Sequence, residues 1–161
     1  GMLTKVGNNF GGLSSVHIGH DCIIGDGVII SSATLLAGHC RIDDHVIFGG
    51  GAAIHQFARV GRNAFIGGAS AVEGDVIPFG LVVGNRAGLV GLNLVGLKRH
   101  GFSRERISAL REAYGKIFGP DGALRDRVAA VGAEFADQAD VMEIVNFIQS
   151  ASERPLCLPP R

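Results

Sequence analysis

The chain has no excess of charge of either sign. Fifteen Lys and Arg balance fifteen Asp and Glu over 161 residues. A nucleic-acid binder would need a basic face that this balance does not supply. Cysteine is scarce: Cys22, Cys40 and Cys157 are an odd number without metal-ligand spacing, which argues against a disulfide framework. No apolar run reaches membrane length and no signal peptide is visible, so a cytoplasmic protein without stable membrane insertion is expected. Tryptophan is absent, and proline occurs only 5 times against 25 glycines. Glycine without proline and without a three-residue period excludes collagen. An apolar content of 47% excludes disorder. Many tight backbone turns remain the reading for so much glycine. The opening Gly1-Met2 reads as the scar of a cleaved tag, with Met2 beginning the native segment.

Composition changes near residue 101. Residues 1–101 hold 21 of the 25 glycines, all six histidines and only 13 charged side chains. A step of six residues from Ile18 meets Ile24, Ile30, Leu36, Ile42, Phe48, Ile54, Val60, Ile66 and Val72. At 47% apolar content, ten such hits in a row arise by chance about once in two thousand frames. A compact residue follows four places after each, from Cys22 and Val28 to Ser70 and Val76. The pattern predicts short strands that coil and stack, an aliphatic filling each turn and glycine permitting the corners. Val6 keeps the frame and Gly12 breaks it. The chain starts inside the repeat with no polar cap before it, which suggests the C-terminal portion of a longer protein or a shortened homologue. Pro78 and Phe79-Gly80 end the period. The expected units are a β-helix of about four coils over 1–80, a Gly-rich connection over 81–101 and a helical domain over 102–161. Within the last, Ser103 caps a helix that Gly119-Pro120 stops, and further helices cover about 123–136 and 139–151. Pro155, Pro159 and Pro160 keep the tail extended.

Three hexapeptides make one coil, so residues 18 apart stack. His20 then lies under Gly38 and Gly38 under Gln56, while Asp21 lies under His39. His17 and His55 fall within three positions of the same column, and His45 on another wall. Four histidines at one corner point to a site. A metal centre is the weaker chemistry, because no cysteine or carboxylate pair shares the corner. Cys22 and Cys40 belong to the interior column of small residues and are expected to be structural.

VHIGHDC (16–22), LAGH (36–39), IHQF (54–57), GNRA (84–87) and GLNLVGLKRHGFSRE (91–105) resemble the acyl-carrier-protein:UDP-N-acetylglucosamine O-acyltransferases, first enzymes of lipid A synthesis. The resemblance spans nearly the whole chain. It implies a left-handed parallel β-helix with a small α-helical C-terminal domain, assembled as a homotrimer. It implies transfer of a 3-hydroxyacyl group from acyl carrier protein to the 3-hydroxyl of UDP-N-acetylglucosamine, with no cofactor and no metal. It assigns His20 as general base, Asp21 as the carboxylate that orients it and the Gly38 N–H as oxyanion donor. His17, His39, His55 and Gln56 match pocket positions, Asn93 and Arg99 nucleotide-contacting positions, and Gly68 the position that measures acyl length. No role is carried onto Arg86 or His100, where the family varies, and the family's further N-terminal coils have no counterpart here. A non-catalytic trimerising or carrier-protein-binding fragment, or the related N-acyltransferase of the same pathway, are the alternatives.

Overall fold

A computed structural model describes residues 3–161; Gly1 and Met2, and the tag reading attached to them, lie outside the described residues. The expected left-handed parallel β-helix is present. Its first coil holds β1 (Lys5–Val6), β2 (Gly11–Gly12) and β3 (His17–Ile18). The second holds β4 (Ile23–Ile24), β5 (Ile29–Ile30) and β6 (Leu35–Leu36), and the third β7 (Arg41–Ile42), β8 (Ile47–Phe48) and β9 (Ala53–Ile54). The fourth holds β10 (Arg59–Val60), β11 (Phe65–Ile66) and β12 (Ala71–Val72). Strands stack in register 18 residues apart, as in Ile23 on Arg41 and Leu35 on Ala53, and so form three walls.

Each two-residue strand turns one side chain inward. The aliphatics from Ile24 to Val72 are at most 3% exposed, and Ile18 is half-buried nearer the open end. The compact column from Cys22 to Val76 is likewise buried. Its polar members find partners 15 residues on: Thr34 Oγ1 donates to the Gly49 carbonyl at 3.1 Å and Cys22 Sγ to that of Ala37 at 3.2 Å. At Gly12, where the frame breaks, the Phe10 ring takes the space that a side chain there would fill.

Glycine's role differs from the expectation. Between Asn9 and Ala69 one residue in six adopts left-handed backbone, and only Gly27 and Gly51 of that series are glycine. The others include Asp21, His39, His45, Phe57 and Asn63. The glycines that follow the aliphatics are needed for the close approach of the next coil. A β-carbon on Gly19 would lie 2.7 Å from the Gly38 nitrogen.

The six-residue period stops as expected, but the stacking continues. Val76 pairs with Val60 and β13 (Gly80–Val83) with β11, at a spacing shortened to 16 residues. β14 (Gly88–Leu92) folds back antiparallel on β13. A short helix α1 (Leu94–Arg99) follows, for which the sequence offered no Ser or Thr start signal. Helices α2 (Arg104–Ile117), α3 (Leu124–Glu134) and α4 (Ala139–Gln149) occupy the expected segments. Ser103 Oγ accepts from the Arg106 N–H at 3.2 Å, capping α2 as predicted. Leu110, Ile117, Val131 and Ile144 bury the inner faces of these helices in a core continuous with the solenoid. Arg59 ties the two parts together, bonding Asp75 at 2.9 Å, the Ser150 hydroxyl at 2.6 Å and the Phe147 carbonyl at 3.2 Å.

Candidate active site

The corner between the third and first walls carries the histidines. Asp21, His39 and Phe57 stack there in successive coils, each in left-handed backbone (φ 59°, 61° and 65°). Asp and His tolerate that region better than most residues. His39 lies flat on Phe57, ring centroids 4.7 Å apart, and meets the His20 ring edge-on at 5.0 Å. Sequence reasoning gave Phe57 no role, although its spacing of 18 from His39 places it in the column.

His20 is the exposed member, with 75% of its side chain open to solvent. Its Nδ1 lies 2.8 Å from Asp21 Oδ2, and His39 Nε2 is 3.8 Å from the same oxygen. An ionised carboxylate only accepts, so His20 carries its proton on Nδ1 and keeps a lone pair on Nε2. That Nε2 faces Gly38: a β-carbon on Gly38 would lie 2.7 Å from it. The Gly38 N–H donates to nothing among the described residues. At corresponding places of another corner, Asp26 Oδ1 accepts from the Asn8 N–H at 2.7 Å and Asp44 Oδ1 from the Asp26 N–H at 2.8 Å. Gln56 takes that place above Gly38 and leaves the N–H open.

His55 and Gln56 are exposed at the same corner, the His55 ring nitrogen Nδ1 donating to the Gln56 carbonyl at 3.1 Å. His17 is exposed on β3 of the adjoining wall. The remaining assigned positions lie elsewhere. Asn93 and Arg99 line a cavity of about 360 Å³ on the second wall, with Ile47, Phe65, Leu81 and His100. Gly68 is exposed at the corner between the second and third walls. Within one chain the His20 corner and the Asn93–Arg99 cavity therefore do not share a pocket.

Asn93 is itself committed to the fold. Its Oδ1 accepts from the Gly96 N–H at 3.1 Å, capping α1, and its Nδ2 donates to the Asn63 carbonyl at 2.9 Å. His100, which ends α1, packs at 4.6 Å against the His45 ring. Burial first, then the charges of His45 and Arg62, hold the His100 pKa below its ordinary value. The three cysteines are free and buried. Burial pushes the Cys40 thiol up to about 12, which keeps it protonated and fits its structural reading.

Known proteins agree with this arrangement. Residues 75–157 match the family described as UDP N-acetylglucosamine O-acyltransferase, domain 2. The acyl-[acyl-carrier-protein]–UDP-N-acetylglucosamine O-acyltransferase of Caulobacter vibrioides is 57% identical over 99% of this chain and 60% of its own length. The Methylobacterium radiotolerans protein of the same name is 52% identical over 99% of this chain and 58% of its own. The crystal structure of Arabidopsis UDP-N-acetylglucosamine acyltransferase superposes with a TM-score of 0.90 and 37% identity, over 94% of this chain and 56% of that one. The chain thus spans about 60% of the length of the curated relatives it matches.

Proposed function

The chain belongs to the UDP-N-acetylglucosamine O-acyltransferase family, and from that premise we propose that it transfers a 3-hydroxyacyl group from acyl carrier protein to the sugar 3-hydroxyl of UDP-N-acetylglucosamine. One observation carries the reading: His20 is oriented by Asp21 at 2.8 Å and presents its free Nε2 beside the unpaired N–H of Gly38. A hydroxyl is a poor nucleophile until a base removes its proton. His20 Nε2 takes that proton as the sugar oxygen attacks the thioester carbonyl. The carbonyl oxygen becomes an oxyanion and accepts from the Gly38 N–H. Collapse forms the ester and breaks the C–S bond, and His20 returns the proton to the departing sulfur. Asp21 holds the tautomer and stabilises the imidazolium between the two proton transfers.

His17, His39, His55 and Gln56 then wall the pocket around the donor and the sugar. Arg99 is assigned to the nucleotide phosphates, with Asn93 contributing at the same cavity by fixing α1. Because these groups lie on the second wall and His20 on a different corner, a complete site needs the second wall of another copy set against the His20 corner. The outward residues of the second wall suit that contact: Ile29, Ile47, Phe65 and Leu81 form an apolar strip along it. A three-walled prism closes with three such contacts, giving the homotrimer. No helix is long and apolar enough to cross a membrane. A cytoplasmic location suits a donor borne on a carrier protein.

The experiment is complementation between copies. His20→Ala and Arg99→Ala homotrimers are each expected to transfer poorly. Mixed trimers, formed by refolding the two together, are expected to regain activity because some sites then draw His20 from one copy and Arg99 from another. Mixtures no more active than their parents would refute the shared site. The partial coverage of the relatives' length favours a second reading, a trimerising or carrier-binding domain without turnover; trimers inactive with the unaltered sequence would establish it.

A further inference from the structure

Two imidazole nitrogens converge on one carboxylate oxygen. Asp21 Oδ2 lies 2.8 Å from His20 Nδ1 and 3.8 Å from His39 Nε2. One ligand atom from each of the three residues falls within 4.8 Å of the others. A tetrahedral zinc ion with bonds of about 2.0–2.2 Å to nitrogen and oxygen holds neighbouring ligand atoms about 3.3–3.5 Å apart, between the two separations found here. Two imidazoles and one carboxylate suit zinc and its neighbours in the first transition row better than magnesium or calcium. Two of the ligands are already fixed. Asp21 and His39 are 15% and 27% exposed at their side chains, and His39 is clamped on Phe57. The exposed His20 ring supplies the adjustment, and its open side leaves a fourth position for water. Two cations line the adjoining cavity with Asp21 and His39, namely Arg41 and Arg59. Arg59 is neutralised by Asp75 at 2.9 Å, so Arg41 is the one that opposes a metal ion.

We propose that His20, Asp21 and His39 bind a zinc-type divalent ion and that its binding shuts off the active site. The second half rests on the function proposed above. The ion takes the Nδ1 lone pair of His20, and the ring proton moves from Nδ1 to Nε2. No proton is lost, but Nε2 now bears hydrogen and has no lone pair for the sugar hydroxyl. Asp21 becomes a ligand and no longer orients the ring. The site is thus inhibitory, unlike a catalytic zinc that activates a water.

Cobalt(II) is the probe, because tetrahedral cobalt absorbs visible light and zinc displaces it silently. Titration of the metal-free protein is expected to give a saturable tetrahedral band with one ion per chain. His39→Gln and Asp21→Asn are each expected to weaken binding about a hundredfold or more, a lost ligand costing at least as much as a lost outer partner. Arg41→Ala is expected to tighten it. His100→Gln, which removes the other histidine pair on the molecule, is expected to leave the band unchanged. No saturable band, or a band that survives both ligand substitutions or follows His100, overturns the site. Zinc is also expected to inhibit acyl transfer over the range in which it displaces cobalt. Binding without inhibition overturns the second half alone. A protein inactive even when metal-free fails the functional reading, while the cobalt spectrum still decides the site.

Discussion

A β-carbon on Gly38 would sit 2.7 Å from His20 Nε2 and 2.8 Å from its Cε1. No real β-carbon makes such a contact, so any side chain at position 38 must push the imidazole away. Gly38→Ala is expected to fold, because the clash is with an exposed ring that can move. It is expected to lower kcat/KM for acyl transfer about a hundredfold, the usual cost of misplacing a reacting group by about 1 Å. Steady-state kinetics with unfolding curves on the same samples check this. A variant with full turnover would mean that His20 and the Gly38 N–H do not act on one reacting centre.

His20 and Asp21 are expected to separate in magnitude. His20→Ala removes the base and should cost roughly 10²–10⁴-fold in turnover. Asp21→Asn should cost less, since Asp21 orients the ring and takes no proton from the substrate. The asparagine is a clean replacement because it tolerates the left-handed backbone at position 21 (φ 59°). Equal losses in the two variants would give Asp21 more than an orienting role.

The solenoid was legible because its inward positions obey one period. From Ile24 to Val72 every sixth residue is an apolar side chain buried in the core. The stacking rule of 18 residues followed, and with it the meeting of His20, Asp21, Gly38 and His39. Phe57 follows from the same rule and was passed over because an aromatic carries no proton chemistry. The corner conformation was not legible, since the left-handed residues are Asp, His and Phe as often as glycine. The continuation through β13 was hidden by the two-residue shortening that puts Val82 on Ile66. Helix α1 has six residues and an asparagine cap, too little signal for a periodic reading. The separation of Asn93 and Gly68 from His20 needed the assignment of each residue to a wall or corner, and motif resemblance supplies none.

Arg59 and Asp75 predict a large stability effect away from the site. Asp75 is 2% exposed at its side chain, and Arg59 meets it from backbone and side chain, each at 2.9 Å. Removing one partner leaves the other charge buried and alone. Arg59→Ala is expected to destabilise the protein by about 3–5 kcal/mol. Asp75→Asn, which keeps an acceptor for both donors, is expected to cost less. Denaturant unfolding of the two variants checks the order.

His100 gives a pH dependence with a definite sign. Its folded pKa is held below the unfolded value of 6.5, by burial first and then by the charges of His45 and Arg62. A lowered folded pKa means that the unfolded state takes up the proton first. The contribution is therefore present above pH 6.5 and is lost as pH falls below it. His100→Gln is expected to flatten the fall in unfolding midpoint between about pH 6.5 and pH 5 while changing little at pH 8. A variant that tracks the parent across that window would show that the His45–His100 contact does not couple to stability.

Gly68 tests the reach of the acyl groove. It is exposed, and a β-carbon there would lie 3.4 Å from the Gly50 carbonyl oxygen, with nothing nearer. Its φ lies outside the left-handed region, so a larger residue fits the backbone as it stands. Gly68→Met is therefore expected to leave the fold and the trimer intact and to project its side chain from the corner between the second and third walls. If the acyl chain ends there, as the resemblance implies, methionine removes room for several methylenes. Each buried methylene contributes about 0.8 kcal/mol, so the loss of two should move preference about tenfold toward shorter donors. The unaltered protein is expected to prefer the longer 3-hydroxyacyl donor. The measurement is a competition between long and short acyl-carrier-protein donors in one reaction, with product ratios compared for the two proteins. An unchanged ratio would place the end of the groove elsewhere, and since Gly68 and His20 lie on different corners of one chain, it would also remove one reason for running the groove between two copies.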